Sequence, residues 1–150
     1  MEGKYLTCQI VRPDRLIYEG PAASIVLQTY TGELAVYPLH SALIVALGDG
    51  VVRVRQLPED GGGEFKIVVS GGYAEVYHDT VTVLADHARL STDIDVEEVQ
   101  ATLAAAQDML ENLEEGDHRN AYYENKINWC KLLLKHAPEE SKPVMHSSGG

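Results

Sequence analysis

The stretch that decides the fold is SGGYAEVYHDTVTVLADHA, residues Ser70 to Ala88. On each side of His78-Asp79, successive residues fall on opposite faces of the chain. This pattern is typical of two half-buried strands joined by a tight turn. Gly71-Gly72 leaves a notch without side chains at the entrance, where we expect a bulge or a close approach of two backbones. The stretch therefore predicts a β-hairpin that closes an all-β region, because the apolar residues after it recur at helical spacing.

The residues before this hairpin predict a series of short strands. Gly20-Pro21 is expected to separate the second strand from the third, and Tyr37 to Ser41 to form a loop, since Pro38 cannot donate to a ladder. Ala42–Leu47 and Val51–Arg55 are predicted to be adjacent strands. Other predicted strands include Lys4–Val11, Leu16–Glu19, Ala23–Thr29 and Phe65–Val69. The whole region before Arg89 is counted as about ten short strands, so residues 1–88 are predicted to form an all-β sandwich.

Residues 89–137 predict two α-helices. Asp95 and Glu98 can form a capping box at the start of the first helix, and Gly116 and Asp117 can end it and cap the second. Apolar residues follow at spacings of three and four in both helices: Val96, Val99, Leu103, Ala106, Leu110 and Leu113, then Tyr123, Ile127, Cys130 and Leu134. Two such stripes joined by a short connection predict an antiparallel helical hairpin. Residues 138–150 are predicted to be a disordered tail.

A second apolar stripe on the later helix is formed by Tyr122, Trp129 and Leu133. Pairing with the first helix does not require it. It packs on the sandwich, or is simply amphipathic excess, or is the contact face of a detachable arm that exchanges partners; the first two are the more common roles of such a stripe.

The charge excludes one class of function. The chain carries a net charge of -11, and residues 91–150 hold twelve of its acids against five basic residues. Nucleic-acid binding needs a basic face, so it is excluded. The two cysteines have no CxxC spacing and are expected to be buried free thiols of a cytosolic protein. Neither a signal peptide nor a membrane span is expected.

Chemical motifs are absent from the sequence. The six histidines lack metal-ligand spacing, and no phosphate-binding or nucleophile motif occurs. Gly61-Gly62-Gly63 precedes a predicted strand without a following lysine and serine, so it is interpreted as a linker. We therefore expect no catalytic residue, no metal and no cofactor.

Two segments carry a family resemblance: GELAVYPLHSALIVALGDGVVRV from Gly32 and VVSGGYAEVYHDTVTVLADHA from Val68. In motif order and spacing they resemble the epsilon subunit of the F-type ATP synthase. The resemblance implies a non-catalytic sandwich at the foot of the rotating central stalk, bound to the gamma subunit and to the c-ring. It also implies a position on the cytoplasmic face of the bacterial inner membrane, peripheral and not inserted. Glu33 and His40 match the region near these contacts and are carried over as candidate interface residues.

The resemblance also implies a mobile helical arm, which in one state extends toward the catalytic alpha/beta hexamer and blocks ATP hydrolysis. Some relatives bind ATP at the start of the first helix through a motif with an arginine, where this chain has Glu98. An acid there would repel a phosphate. Inhibition in relatives depends on basic residues that meet an acidic segment of the catalytic beta subunit, and the candidates in this hairpin are Arg119, Lys126, Lys131 and Lys135. The alternative is that these cations balance the acidic first helix within the folded hairpin and favour it by a modest, salt-sensitive amount.

Three functions are therefore weighed. The leading hypothesis is a rotor-stalk subunit that couples proton flow to ATP synthesis. The first rival is a free-standing ATP-sensing regulator that uses the hairpin, and the missing basic phosphate ligands count against it. The second is a small enzyme on a sandwich scaffold, against which the missing titratable cluster counts.

Overall fold

The computed structural model describes residues 4–138, and the chain divides after Leu90 into two compact units. The first unit is all-β, apart from a 3₁₀ turn at Pro58–Asp60. Its ten strands are β1 (Leu6–Arg12), β2 (Arg15–Ala22), β3 (Ser24–Thr29), β4 (Gly32–Val36), β5 (Leu43–Ala46), β6 (Gly50–Arg55), β7 (Glu64–Ser70), β8 (Tyr73–Tyr77), β9 (Thr80–Leu84) and β10 (His87–Leu90). The predicted ten-stranded fold is confirmed.

The strands form two five-stranded sheets. One has the order β2-β1-β9-β8-β5 and the other the order β10-β7-β6-β3-β4. All neighbours are antiparallel except β1 and β9, which run parallel in register from Thr7 opposite Thr80 to Val11 opposite Leu84. Alternate residues of both sheets form one buried core that includes Leu6, Ile25 and Val83. The alternation seen in the sequence is therefore the inside-outside alternation of a sandwich.

Two predictions about the strands are wrong. Gly20-Pro21 does not interrupt a strand, because β2 runs through both residues and pairs Pro21 with Thr7. β2 is an edge strand, where the missing N–H of proline costs no ladder hydrogen bond. β5 and β6 are not adjacent either: β5 pairs with β8 in one sheet, and β6 pairs with β3 and β7 in the other. The connection through Gly48 carries the chain from one sheet to the other.

The glycine notch at the hairpin entrance is confirmed. Gly71 and Gly72 have φ values of 70° and 98°, in the region that favours glycine. A Cβ on Gly72 would collide with the backbone carbonyl oxygen of Leu84, and one on Gly71 with the carboxylate of Asp86. The close approach of two backbones therefore explains Gly72, whereas at Gly71 the Asp86 side chain occupies the space that a Cβ would need.

The second unit begins with a 3₁₀ turn at Ser91–Asp93 and contains two helices, α1 (Val96–Glu111) and α2 (Asn120–His136), which pack on each other as the predicted hairpin. Asp95 caps α1, and its Oδ1 accepts a hydrogen bond from the Glu98 amide at 3.2 Å. α1 ends earlier than predicted, with Asn112 as its C-cap. Asp117 is not the N-cap of α2, because one further turn precedes the helix and Arg119 takes that position.

The apolar stripes of the hairpin are buried or half-buried at every predicted position. In the second stripe of α2, Leu133 is buried and Trp129 half-buried, whereas Tyr122 is 58% exposed. Both cysteines are buried free thiols, as predicted. The predicted disordered tail lies outside the described residues except for Pro138.

Candidate interface site

His40 lies in a β-turn that projects from the sandwich between β4 and β5. The turn is closed by a hydrogen bond from the His40 amide to the Tyr37 carbonyl oxygen at 3.2 Å. Pro38 is at its second position, and Leu39 at the third has a φ of 68°, as in a type II turn. That position favours glycine, but in this chain it is occupied by Leu39, which is 77% exposed. We call residues 37–40 the interface turn.

The interface turn is tied to the turn between β8 and β9. His78 and Asp79 both have positive φ, 48° and 59°, as in the two-residue type I′ turn of a tight hairpin. The Oδ1 atom of Asp79 accepts a hydrogen bond from the backbone amide of Leu39 at 2.6 Å. A surface groove of about 340 Å³ between the two turns is lined by Leu39, His40, Ala42, Tyr77, His78 and Asp79. Two segments far apart in sequence thus form one continuous surface.

The His40 side chain is half-buried, and its Nδ1 lies 2.7 Å from the carbonyl oxygen of Ser41. This contact orients the ring along its own turn. The groove residues Leu39 and Tyr77 are 77% and 58% exposed. A histidine beside exposed apolar side chains suits recognition of another protein better than catalysis.

Glu33 is placed on a different feature, the outer face of the second sheet. Its two carboxylate oxygens accept hydrogen bonds from Arg53 Nη1 and Nη2 at 3.1 and 3.4 Å. Glu64 approaches the Arg53 Nε at 4.0 Å and the Arg55 Nη2 at 3.9 Å. Glu33 is therefore one end of a charged network across β4, β6 and β7, and the described contacts do not join it to the His40 turn.

Of the four candidate cations in the hairpin, Arg119 is held in the connection between the helices. Its Nη2 lies 3.0 Å from Oδ2 of Asp117, and its amide donates to Oδ1 of the same carboxylate at 2.8 Å. The hydrogen bonds from Arg119 lower the pKa of the Asp117 carboxyl to about 2. The carboxylate is thus ionised at any physiological pH, and Arg119 already has a partner within the connection.

The other three cations lie along α2. The Lys126 ammonium is 5.5 Å from the centre of the Tyr122 ring and donates a hydrogen bond to its hydroxyl oxygen at 3.4 Å. Lys126 therefore makes a cation–π contact with an aromatic side chain of the same helix. Lys131 and Lys135 are exposed and four residues apart, which places them on one face of α2. These two lysines form the basic face that α2 presents to solvent.

The part of the chain from residue 4 to residue 138 shows no group of three histidine, cysteine or acidic side chains that could hold a metal. Burial raises the pKa of the Cys8 thiol to about 12, so it is protonated at neutral pH and a poor nucleophile. Within the same residues no helix is both long and apolar enough to span a bilayer. The turn, the groove and the charged network are exposed features of the sandwich.

Sequence reasoning missed Leu39, Asp79 and Arg53 as parts of this site. The Tyr37-Pro38 start of a turn and the His78-Asp79 turn were both visible as local signals. Nothing local connects them, because Leu39 and Asp79 are forty residues apart. The partner of Glu33 could have been sought among the outward-facing residues of the neighbouring strands, of which Arg53 is one.

The two units define a class of protein: a ten-stranded β-sandwich followed by a helical hairpin. Residues 5–91 match the family model described as the β-sandwich domain of the ATP synthase delta/epsilon chain. The chain is 37% identical over 117 residues to the ATP synthase epsilon chain of Synechococcus elongatus, covering 78% of this chain and 82% of that one. It is 36% identical over 145 residues to the epsilon chain of Thermosynechococcus vestitus, covering 97% and 96%.

Among solved structures, a chain of the Euglena gracilis mitochondrial ATP synthase aligns with a TM-score of 0.66 and 24% identity, over 89% of this chain and 81% of that one. This likeness supports the fold. The chain belongs to the ATP synthase delta/epsilon family. Membership confirms the predicted family and the predicted role as a non-catalytic subunit of the central stalk.

Proposed function

We propose that this chain is the rotor subunit that joins the gamma subunit to the c-ring, so that proton flow through the ring is coupled to ATP synthesis. The observation that carries the proposal is the near full-length match to an epsilon chain, 97% of this chain and 96% of the relative. Both the sandwich and the hairpin belong to the shared architecture. Its partners would hold the subunit at the cytoplasmic face of the bacterial inner membrane.

Within the sandwich, we assign partner binding to the interface turn with His40 and to the charged network with Glu33. The turn offers exposed apolar atoms beside a polar ring, the composition of an interface centre. The network offers a carboxylate that Arg53 holds in a defined position. The two features suit two different contacts, since the described geometry does not join them.

For the hairpin, we propose a regulatory contact with the acidic surface of the alpha/beta hexamer. The candidates for it are Arg119, Lys126, Lys131 and Lys135, of which Lys131 and Lys135 lie exposed on one face of α2. α1 opposes such a contact, since Asp95 to Glu115 contains seven acids and no basic residue.

Reconstitution tests the proposal. The full chain is added to ATP synthase depleted of its epsilon subunit, and we measure co-purification with gamma and c-ring together with proton-driven ATP synthesis. We expect stoichiometric binding and restored synthesis. A chain that binds neither gamma nor the c-ring under these conditions is not the rotor subunit.

A further inference from the structure

We propose that Asp79 is a positioning residue for the interface turn: its carboxylate holds the Leu39 amide, and thereby fixes how Leu39 and His40 are presented to a partner. This inference rests on the proposed function, because it concerns the binding strength of a turn that is itself assigned to partner contact.

The first observation is the unfavourable backbone of Leu39. A φ of 68° at a residue with a bulky side chain is rare, because the Cβ approaches the following carbonyl oxygen. Leu39 gains little from burial in return, since it is 77% exposed. An interaction elsewhere must keep the turn in this conformation, and such strain in an exposed segment points to a binding role.

The second observation is the hydrogen bond that holds the Leu39 backbone in this conformation. The Leu39 amide donates to Oδ1 of Asp79 at 2.6 Å, a short distance for an amide bonding to a carboxylate. Without Asp79, this amide would face solvent, and the turn would be closed only by the longer bond between His40 and Tyr37 at 3.2 Å. The carboxylate is therefore the stronger of the two constraints on the turn.

The third observation is that Asp79 itself is rigidly placed. It belongs to a two-residue turn between paired strands, and its carbonyl oxygen accepts a hydrogen bond from the Thr7 amide at 2.8 Å. β9 lies in the centre of its sheet, between β1 and β8. Asp79 thus connects an exposed turn to the most constrained part of that sheet, as a supporting residue for a binding site should.

The test compares two substitutions that both suit the positive φ of Asp79. Asp79→Gly removes the acceptor, whereas Asp79→Asn keeps an oxygen at the same place. Thermal unfolding of each full-length variant first shows that the sandwich is intact. We then measure hydrogen exchange of the Leu39 amide in the free protein, and the affinity of the variant for epsilon-depleted ATP synthase. His40→Ala is measured in parallel as the direct interface variant.

We expect Asp79→Gly to speed exchange of the Leu39 amide by roughly tenfold and to weaken binding several-fold, and Asp79→Asn to restore most of both. Unchanged exchange in Asp79→Gly would overturn the proposal. So would faster exchange with unchanged binding while His40→Ala weakens binding. If the wild-type chain does not bind the complex, or His40→Ala has no effect, the interface assignment fails instead, and the exchange result shows separately whether Asp79 holds the turn.

Discussion

Glu33 on β4 and Arg53 on β6 meet across β3, the strand that lies between theirs, and both carboxylate oxygens accept from the guanidinium. The pair is largely exposed, with side-chain exposures of 55% and 35%, so it adds little to stability. Its effect is to hold the Glu33 carboxylate at one place on the sheet. A partner that recognises Glu33 meets a pre-oriented group.

This geometry predicts that Glu33→Ala and Arg53→Ala act alike. Each should lower the free energy of unfolding by less than about 1 kcal/mol, because exposed ion pairs contribute little. Both should weaken binding to gamma and the c-ring. Glu33→Ala removes the carboxylate that the partner recognises, and Arg53→Ala removes the group that holds this carboxylate in place. Denaturant unfolding and binding to gamma and the c-ring measure the two effects, with Arg15→Ala, an exposed position on β2 of the other sheet, as the control. Unchanged binding in Glu33→Ala, or an equal loss in Arg15→Ala, would contradict the assignment.

The glycine notch predicts a large loss of stability in Gly72→Ala. The new Cβ would meet the Leu84 carbonyl oxygen, a backbone atom that cannot rotate away, in addition to the strain at a φ of 98°. We expect a loss of more than about 2 kcal/mol in the free energy of unfolding. Gly32→Ala is the matched control, since its φ is 123° and nothing lies within 4 Å of the added Cβ. Equal losses of stability in the two variants would contradict this prediction, because they would show that the structure shifts to relieve the collision at Gly72.

A chain ending at Leu90 should fold on its own. Every residue of the buried sandwich core lies between Leu6 and Ala88, and the last strand ends at Leu90. We expect cooperative thermal unfolding of residues 1–90. A chain ending at Asp79, which lacks β9 and β10, should show no such transition. Failure of the longer fragment to fold would mean that the sandwich depends on the hairpin.

Mg-ATP should bind weakly or not at all. Glu98 is exposed in the first turn of α1, beside the exposed Glu97, so a phosphate there would meet two carboxylates. Calorimetry at millimolar Mg-ATP should give no saturable signal for the natural chain. Glu98→Arg should bind more tightly than Glu97→Arg, which makes the same charge change one residue away. Saturable binding by the natural chain in moderate salt would refute the argument from Glu98.

Reversing the charge of Lys126, Lys131 and Lys135 to glutamate should raise ATP hydrolysis by the reconstituted complex. The expected ceiling is the rate of a complex that lacks residues 91–150, because the basic residues of α2 are the ones that could meet an acidic partner. A second triple variant with Lys4→Glu, Arg15→Glu and Lys66→Glu, all at exposed positions of the sandwich unit, makes the same change in net charge and is the control. If both the reversal and the truncation leave hydrolysis unchanged, the hairpin is a structural brace and not an inhibitor.

The features that could be predicted from the sequence are those set by residues close together along the chain. Alternation identified the strands of the sandwich, and His78-Asp79 and Gly71-Gly72 identified the geometry of its closing hairpin. Asp95 was correctly predicted to cap α1, since a cap is a contact over three residues. The end of α1 was placed too late, because Gly116 is a stronger local signal than Asn112, at which the helix ends.

What the sequence could not predict depends on the position of strands in three dimensions. Pro21 was interpreted as a break, because nothing local shows that β2 is an edge strand that tolerates proline. β5 and β6 look like partners in sequence, yet they belong to opposite sheets. The bond between Leu39 and Asp79 joins two turns whose sequence signals are unrelated, so only the folded chain shows it.

The parallel pairing of β1 with β9 has a consequence for how the chain is made. Of the ten strands of the sandwich β1 is the first to leave the ribosome, but one of its two neighbours is Thr80–Leu84, which follows almost the whole of the sandwich. Until those residues emerge, β1 has an unpaired edge that can associate with other chains. Pairings so distant in sequence also slow folding, to the millisecond-to-second range typical of β-sandwiches. The nascent subunit thus keeps this edge open to aggregation until Thr80–Leu84 has emerged from the ribosome.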